Sequence, residues 1–181
     1  MLYVEAPVLG PQVRQFSVAF PHATAVGPIA RGDAPDGQTS TATVELNRTN
    51  LTTVSFSFVF TDNYQLSALS PAGATFRVTS PEGNTSEGKC SPGVTTCTVV
   101  VADINLPPDG TIFTAEDQQA AQTTAAHRYP ATANGSGQWT LEITPQRAYV
   151  SPIHPVRSSI SWSMTSKAES YSIEVAELQR S

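Results

Sequence analysis

The chain has 181 residues, a formal net charge of −5 and a pI of about 5.1, a length that suits one domain with a core of its own. Only 14% of residues are charged, against roughly 25% in ordinary soluble domains, and 19 Ser and 22 Thr supply the missing polarity. Two lysines (Lys89, Lys167) and eight scattered arginines make no basic stripe, which argues against nucleic acid or anionic lipid as a partner, and no run of about 18 apolar residues is present to span a membrane.

Residues 1–12, with Pro7, Gly10 and Pro11, read as an extended arm. The segment Met1 to Glu5 lacks the charged start and apolar block of a signal peptide. That leaves a cytosolic protein, or an exported fragment whose leader or anchor was removed; the rest of the chain favours the second. Residues 13–181 read as a single domain. Val13 to Phe20 alternates around Phe16, Val18 and Phe20, a first strand. Pro21 to Gln38 is rich in Pro, Gly and Ala and reads as a long loop, with Asp36-Gly37 a turn. Thr41 to Leu46 is a second strand.

The strongest pattern follows. Val54, Phe56, Phe58 and Phe60 recur every second residue, with Thr53, Ser55 and Ser57 between them. This is a strand with one face in a core, each buried Phe contributing about 1.5–3 kcal/mol. Val59 interrupts the polar row, which predicts partial cover of the far face at that end. Ala74 to Ser80 is a strand with one wet face, and Ser80-Pro-Glu-Gly83 is a type I or II turn. Cys97 to Asn105 is β-branched and apolar, a buried strand that Pro107-Pro108 stops. Glu116 to His127 is the one helical candidate, with Thr114 and Asp117 as capping residues; its weak apolar stripe also fits a mobile loop. Gln138 to Thr144, Ser158 to Met164 and Tyr171 to Leu178 alternate again, and Arg147 to Val150 reads as short and extended. About eight strands with no βα alternation predict an all-β fold, an antiparallel two-sheet sandwich of jelly-roll type with at most one short surface helix.

Cys90 and Cys97 flank the Pro92-Gly93 turn. A disulfide, two free thiols or part of a metal site are the choices. Zinc needs four ligands, and no further Cys or His pair supplies them in sequence, so the disulfide is the expectation. Asn47, Asn50, Asn84 and Asn134 each open an Asn-X-Ser/Thr triplet, four where chance gives about 1.4, which points to a glycosylating exported setting. His22, His127 and His154 are isolated, and no Gly-X-Ser-X-Gly elbow accompanies them, so no hydrolytic triad is read. Asp103, Asn105 and Asp109, with Glu116 and Asp117 beyond, are loose oxygen ligands for calcium whose spacing fits no EF-hand; solvated loop acids are the simpler reading. Trp139 and Trp162 sit in alternating strands as core residues, or else as sugar-stacking platforms.

From Leu51 to Leu178 the layout resembles the P-domain that follows the catalytic domain of subtilisin-like proprotein convertases, within the galactose-binding-like jelly rolls. The carrying residues are the alternating strand Val54 to Phe60, the stretch Ala74 to Gly83 with its Ser-Pro-Glu-Gly turn, the strand Gly137 to Ile143 with Trp139, and Ser161 to Met164 with Trp162. Ala74 and Thr75 stand where that family has an acidic residue, so its calcium and protease partner are not carried over. The chain is also similar to exported sandwich domains of archaeal single-anchor membrane proteins, which implies an extracellular or cell-surface compartment. Together these readings predict a non-enzymatic ectodomain of an anchored or secreted protein, without a cofactor, that contacts a cell-surface protein or glycan. The alternatives are a calcium-assisted carbohydrate-binding module and a hydrolase with an unrecognised site.

Overall fold

The computed structural model describes residues 13–64, 67–147 and 158–179; the arm at 1–12, most of the short segment after Arg147 and His154 lie outside them. In chain order the elements are β1 (Arg14–Ala19), β2 (His22–Pro35), β3 (Ser40–Leu46), β4 (Leu51–Asp62), β5 (Gly73–Thr79), β6 (Thr85–Cys90), β7 (Thr96–Val101), β8 (Ile112–Ala115), α1 (Gln118–Arg128), β9 (Gly137–Gln146), β10 (Ser159–Tyr171) and β11 (Glu174–Glu177). Two compact units share them. Among the described residues one is built from 13–21, 107–131 and 171–179, the other from 22–106 and 132–170.

The larger unit is an antiparallel two-sheet β-sandwich. Its sheets have the orders β2-β10-β4-β7 and β3-β9-β5-β6, the strand arrangement of an eight-stranded jelly roll. β4 pairs along its length with β10, from Ile160 opposite Asp62 to Ala168 opposite Val54, and on its other side with β7. The period-two pattern therefore points Val54, Phe56, Phe58 and Phe60 into the core, every one buried. They meet Trp139, Leu141 and Ile143 of β9 and Phe76 and Val78 of β5. Phe58 stacks on Phe76 with ring centroids 4.2 Å apart, and Phe56 lies 5.4 Å from Trp139. The Trp139 Nε1–H donates to the Gly135 carbonyl at 2.8 Å, which removes the cost of burying an indole N–H.

The outward face of the same sheet is a hydroxyl surface. Ser57 and Thr98, neighbours across β4 and β7, hydrogen-bond at 3.2 Å, and Ser161 accepts from Asn63 and donates to Asp33. Short neutral side chains pair across strands here, which is how a chain so poor in charge keeps a wet face. Val59 is not covered as its place in the polar row predicts. It is 48% exposed, opposite Ser163 and Thr96.

Several strands depart from the sequence reading. Cys97 to Asn105 is not a buried strand: β7 stops at Val101 and is an edge strand with one wet face, Val100 being 54% exposed, and β8 is a strand the alternation does not show. Pro21 to Gln38 is not a long loop: β2 occupies most of it. β2 is an edge strand, where proline is tolerated, and its inward residues are Ala25, Gly27, Ala30, Gly32 and Ala34, too small to show as an apolar alternation. Their smallness is required. A Cβ on Gly32 would lie 2.9 Å from the Trp162 ring, so only glycine lets β2 close over that indole. β6, Thr85–Cys90, reads as polar loop but pairs with β5 as the far edge of its sheet. β10 continues past Met164 to Tyr171, with the small residues Ser166 and Ala168 facing inward.

In the smaller unit the sheet order is β11-β1-β8. Phe16 is its buried centre, with Phe113, Ala115, Ala121 and Val175 around it. Asp117 caps α1 by accepting the Ala120 N–H at 2.8 Å, so the candidate helix begins at Gln118, two residues past the predicted start, and its buried stripe is only Ala121 and Ala125. Phe20 stands edge-on to both Tyr129 and Tyr171.

Cys90 and Cys97 form a disulfide across a Cα–Cα distance of 5.8 Å. The Ser91–Val94 turn between them closes through Val94 N–H to Ser91 O, with Gly93 at φ 82°, a conformation only glycine takes without strain. Because β6 ends one sheet and β7 ends the other, this bond joins the two sheets at one side of the sandwich.

Phe58→Asp is expected to abolish folding, because it removes a fully buried ring and leaves a carboxylate among aromatics; a cooperative melt followed by circular dichroism would contradict it. Reducing the disulfide is expected to remove about 2–3 kcal/mol and lower Tm by several degrees, measured by calorimetry with and without reductant.

Candidate functional site

β5, β9, β3 and β6 run between the two ends of the larger unit, and the connections at each end carry its polar chemistry. At one end Arg147, just past β9, is fully buried. Its Nε–H donates to Asp36 Oδ2 at 2.8 Å, and its two terminal nitrogens donate to Asp62 at 2.9 and 2.6 Å and to the Ser70 carbonyl. The guanidinium also lies 4.5 Å from the centre of the Tyr64 ring. Asp62 in turn accepts the Tyr64 and Ala72 N–H groups, both at 3.0 Å. Burial acts to raise the Asp62 carboxyl, but the Arg147 hydrogen bonds, those two N–H donors and the arginine charge outweigh it and hold the group below the usual carboxylate range. Burial likewise acts to lower Arg147, and Asp62 and Asp36 raise it instead. A carboxylate committed in this way neither gives nor takes a proton near neutrality. The cluster ties the ends of β2, β4 and β9 together. Nothing in sequence marks it: Arg147 is one of eight arginines, and its partners stand 85 and 111 residues away.

The opposite end holds the asparagine triplets. Asn47, Asn84 and Asn134 are exposed. Asn50 is buried: its Oδ1 accepts the Thr132 N–H, its own N–H donates to the Thr132 carbonyl, and its φ is 54°. Asn105, offered as a calcium ligand, is buried as well, and its amide nitrogen donates to the Leu51 and Asn134 carbonyls at 2.7 and 3.1 Å. It is a clamp between loops, with an N–H where a cation would need oxygen. Asp103, Asp109 and Glu116 are exposed, Asp117 is spent on capping α1, and no group of three or more His, Cys, Asp or Glu able to hold a metal is present among the described residues. Glu82 accepts the Gly135 N–H at 2.6 Å; burial acts to raise it, and this bond, its own N–H and the Ser80 hydroxyl hold it below the usual range.

A shallow groove of about 600 Å³ lies on the outer face of sheet β3-β9-β5-β6, lined by Thr39, Thr75, Arg77, Glu87, Lys89 and Glu142 among others. Arg77 sits between Glu87 at 2.9 Å and Glu142 at 3.9 Å, in half-exposed pairs of the kind that contribute little. Two cations against two acids give the groove no charge preference, and no exposed aromatic ring lines it. Trp139 and Trp162 are 0% and 4% exposed and belong to the core, as their alternating strands lead one to expect, so neither is a sugar platform. His22 and His127 are exposed, the latter in the last turn of α1.

No family model matches the chain, and no curated protein matches it. Among solved structures it is similar to one of Desmodium yellow mottle tymovirus, at 8% identity and a TM-score of 0.31, covering 100% of this chain and 97% of that one. A structure of infectious bursal disease virus Gt strain is matched at 13% identity and a TM-score of 0.18, over 98% of this chain and 47% of that one. At these values neither likeness bears on activity.

Replacing Arg147 by Met is expected to cost about 3–5 kcal/mol, because it strands two carboxylates at a largely buried site. Asp62 predicts the pH dependence. Its folded pKa is below the unfolded value of about 3.9, so its contribution is complete above that value and is lost as pH falls through the folded pKa. Denaturant midpoints measured from pH 7 down to pH 2 should fall below about pH 4, and less steeply in Asp62→Asn.

Proposed function

We propose that this chain is a non-enzymatic jelly-roll domain that works by contact with protein, displayed outside the cytoplasm at a cell surface. The observation that carries the reading is what fills the sandwich. Trp139, Phe56, Phe58 and Phe76 occupy the interior that a jelly-roll enzyme would use for a metal or substrate. Among the described residues no nucleophile is hydrogen-bonded to a His, and the half-buried acids Asp36 and Asp62 are bound to Arg147. Carbohydrate binding through an exposed indole loses its platform, since both tryptophans are buried. The Cys90–Cys97 disulfide supports an oxidising compartment, and no described helix is long and apolar enough to cross a membrane.

One observation favours a second reading. The strand order β2-β10-β4-β7 against β3-β9-β5-β6 is a topology shared by lectin domains and viral shell subunits. In a shell the protein contacted would be further copies of this chain. That is an analogy of fold, and it rests on topology alone.

Sedimentation of the oxidised protein, joined to electron microscopy, separates the two readings. A monomer at micromolar concentration is the expected result, and uniform closed particles would replace the first reading by the second. A glycan array read with and without Ca²⁺, and a broad esterase and peptidase screen, are expected to be blank. Calcium-dependent sugar binding, or hydrolysis lost on a single Ser or His substitution, would overturn both.

A further inference from the structure

The four asparagine triplets, which come from three separate stretches of the sequence, fall at one end of the jelly roll. β3 ends at Leu46, opposite Gly137 where β9 begins. β5 ends at Thr79, opposite Thr140 of β9 and Thr85 at the start of β6. Asn47 follows Leu46, Asn84 precedes Thr85, and Asn134 lies in the turn just before β9. Asn84 and Asn134 line the same surface cavity, of about 340 Å³. β9 then carries the chain some ten residues to the Arg147 end, about 30 Å away at strand rise.

We propose that this end is a glycan-bearing end, with Asn47, Asn84 and Asn134 as N-linked acceptors and Asn50 excluded. The inference rests on the export half of the reading above. The distinction comes from the folded geometry. Each of the three is exposed in a connection between strands, where a branched sugar projects into solvent. Asn50 does not: it is itself buried, its amide oxygen accepting the Thr132 N–H, and Thr52, the third member of its triplet, is buried as well. A sugar on Asn50 would break these contacts and part the loop that Asn50 and Asn105 hold shut. The step itself needs a lipid-pyrophosphate-linked oligosaccharide as co-reactant. The asparagine Nδ2 attacks the anomeric carbon, an N–C bond forms, the C–O bond to pyrophosphate breaks, the lipid pyrophosphate leaves with the electron pair, and the amide proton passes to a base of the transferring enzyme.

The test is to produce the full chain behind a cleavable leader in a eukaryotic cell, recover the folded, oxidised fraction, and map peptides after enzymatic deglycosylation, which turns each modified Asn into Asp. Conversion at Asn47, Asn84 and Asn134 with none at Asn50 is expected. Asn47→Gln, Asn84→Gln and Asn134→Gln should each remove one step of gel mobility, and these exposed positions leave folding intact. Absence of conversion at those three, or conversion at Asn50 in the folded fraction, overturns the proposal. An unmodified chain that remains inert to glycans and substrates would remove this inference and leave the contact reading standing.

Discussion

The larger unit depends on covering the aromatic face of β4. Four apolar side chains in period two, three of them Phe, are stable only if a second sheet lies against them. β9 and β5 supply that sheet, and the register of both pairings places Trp139, Leu141, Ile143, Phe76 and Val78 on the facing side. A shift of one residue in β4 would turn the phenyl rings to solvent and the serines to the core, so one register is selected strongly over its neighbours. The hydroxyl-rich outer faces follow from the same constraint, because every second residue must then be wet.

A sandwich held only by its faces is open at its sides. Here the sides are closed by different means. The β6–β7 side is joined by the Cys90–Cys97 bond, with the Pro92-Gly93 turn bringing the thiols together. On the other side β2 and β3 follow one another through the Asp36-Gly37 turn, where Gln38 N–H returns to the Pro35 carbonyl. β2 lies over Trp162 and Ser166 because its inward residues are alanine and glycine; the Ser166 hydroxyl donates to the Pro28 carbonyl, which satisfies a backbone acceptor where the edge is irregular.

The ends are held by polar contacts, and they differ in kind. Arg147 gathers two carboxylates, a carbonyl and an aromatic ring at a largely buried site. Such a cluster is weak as net stabilisation and strong as a specification, since any other arrangement strands a charge. At the other end Asn50, Asn105, Glu82 and Gly135 are linked by side-chain to backbone hydrogen bonds that draw the loops together without an ion pair. Polar residues that invite a reading as ligands or modification sites are partly consumed in this way.

The amino-acid sequence by itself determined the fold class, the central strand and its facing, the burial of Trp139 and Trp162, the Pro-Gly turns and the disulfide, because each is written in neighbouring residues: an alternation, a turn dipeptide, a short loop between the only two cysteines. Tertiary structure alone decided the rest. β2, β6 and the second half of β10 left no apolar period, since their inward positions are Ala, Gly and Ser and become buried only when a neighbour's large side chain lies over them. Val59 looked covered and is exposed, because cover depends on what packs outside the sheet. Asn50 and Asn105 looked like surface chemistry and proved to be loop clamps, and Arg147 looked like any other arginine. Their roles come from partners tens of residues away, and no local pattern encodes a contact that exists only once both sheets have closed.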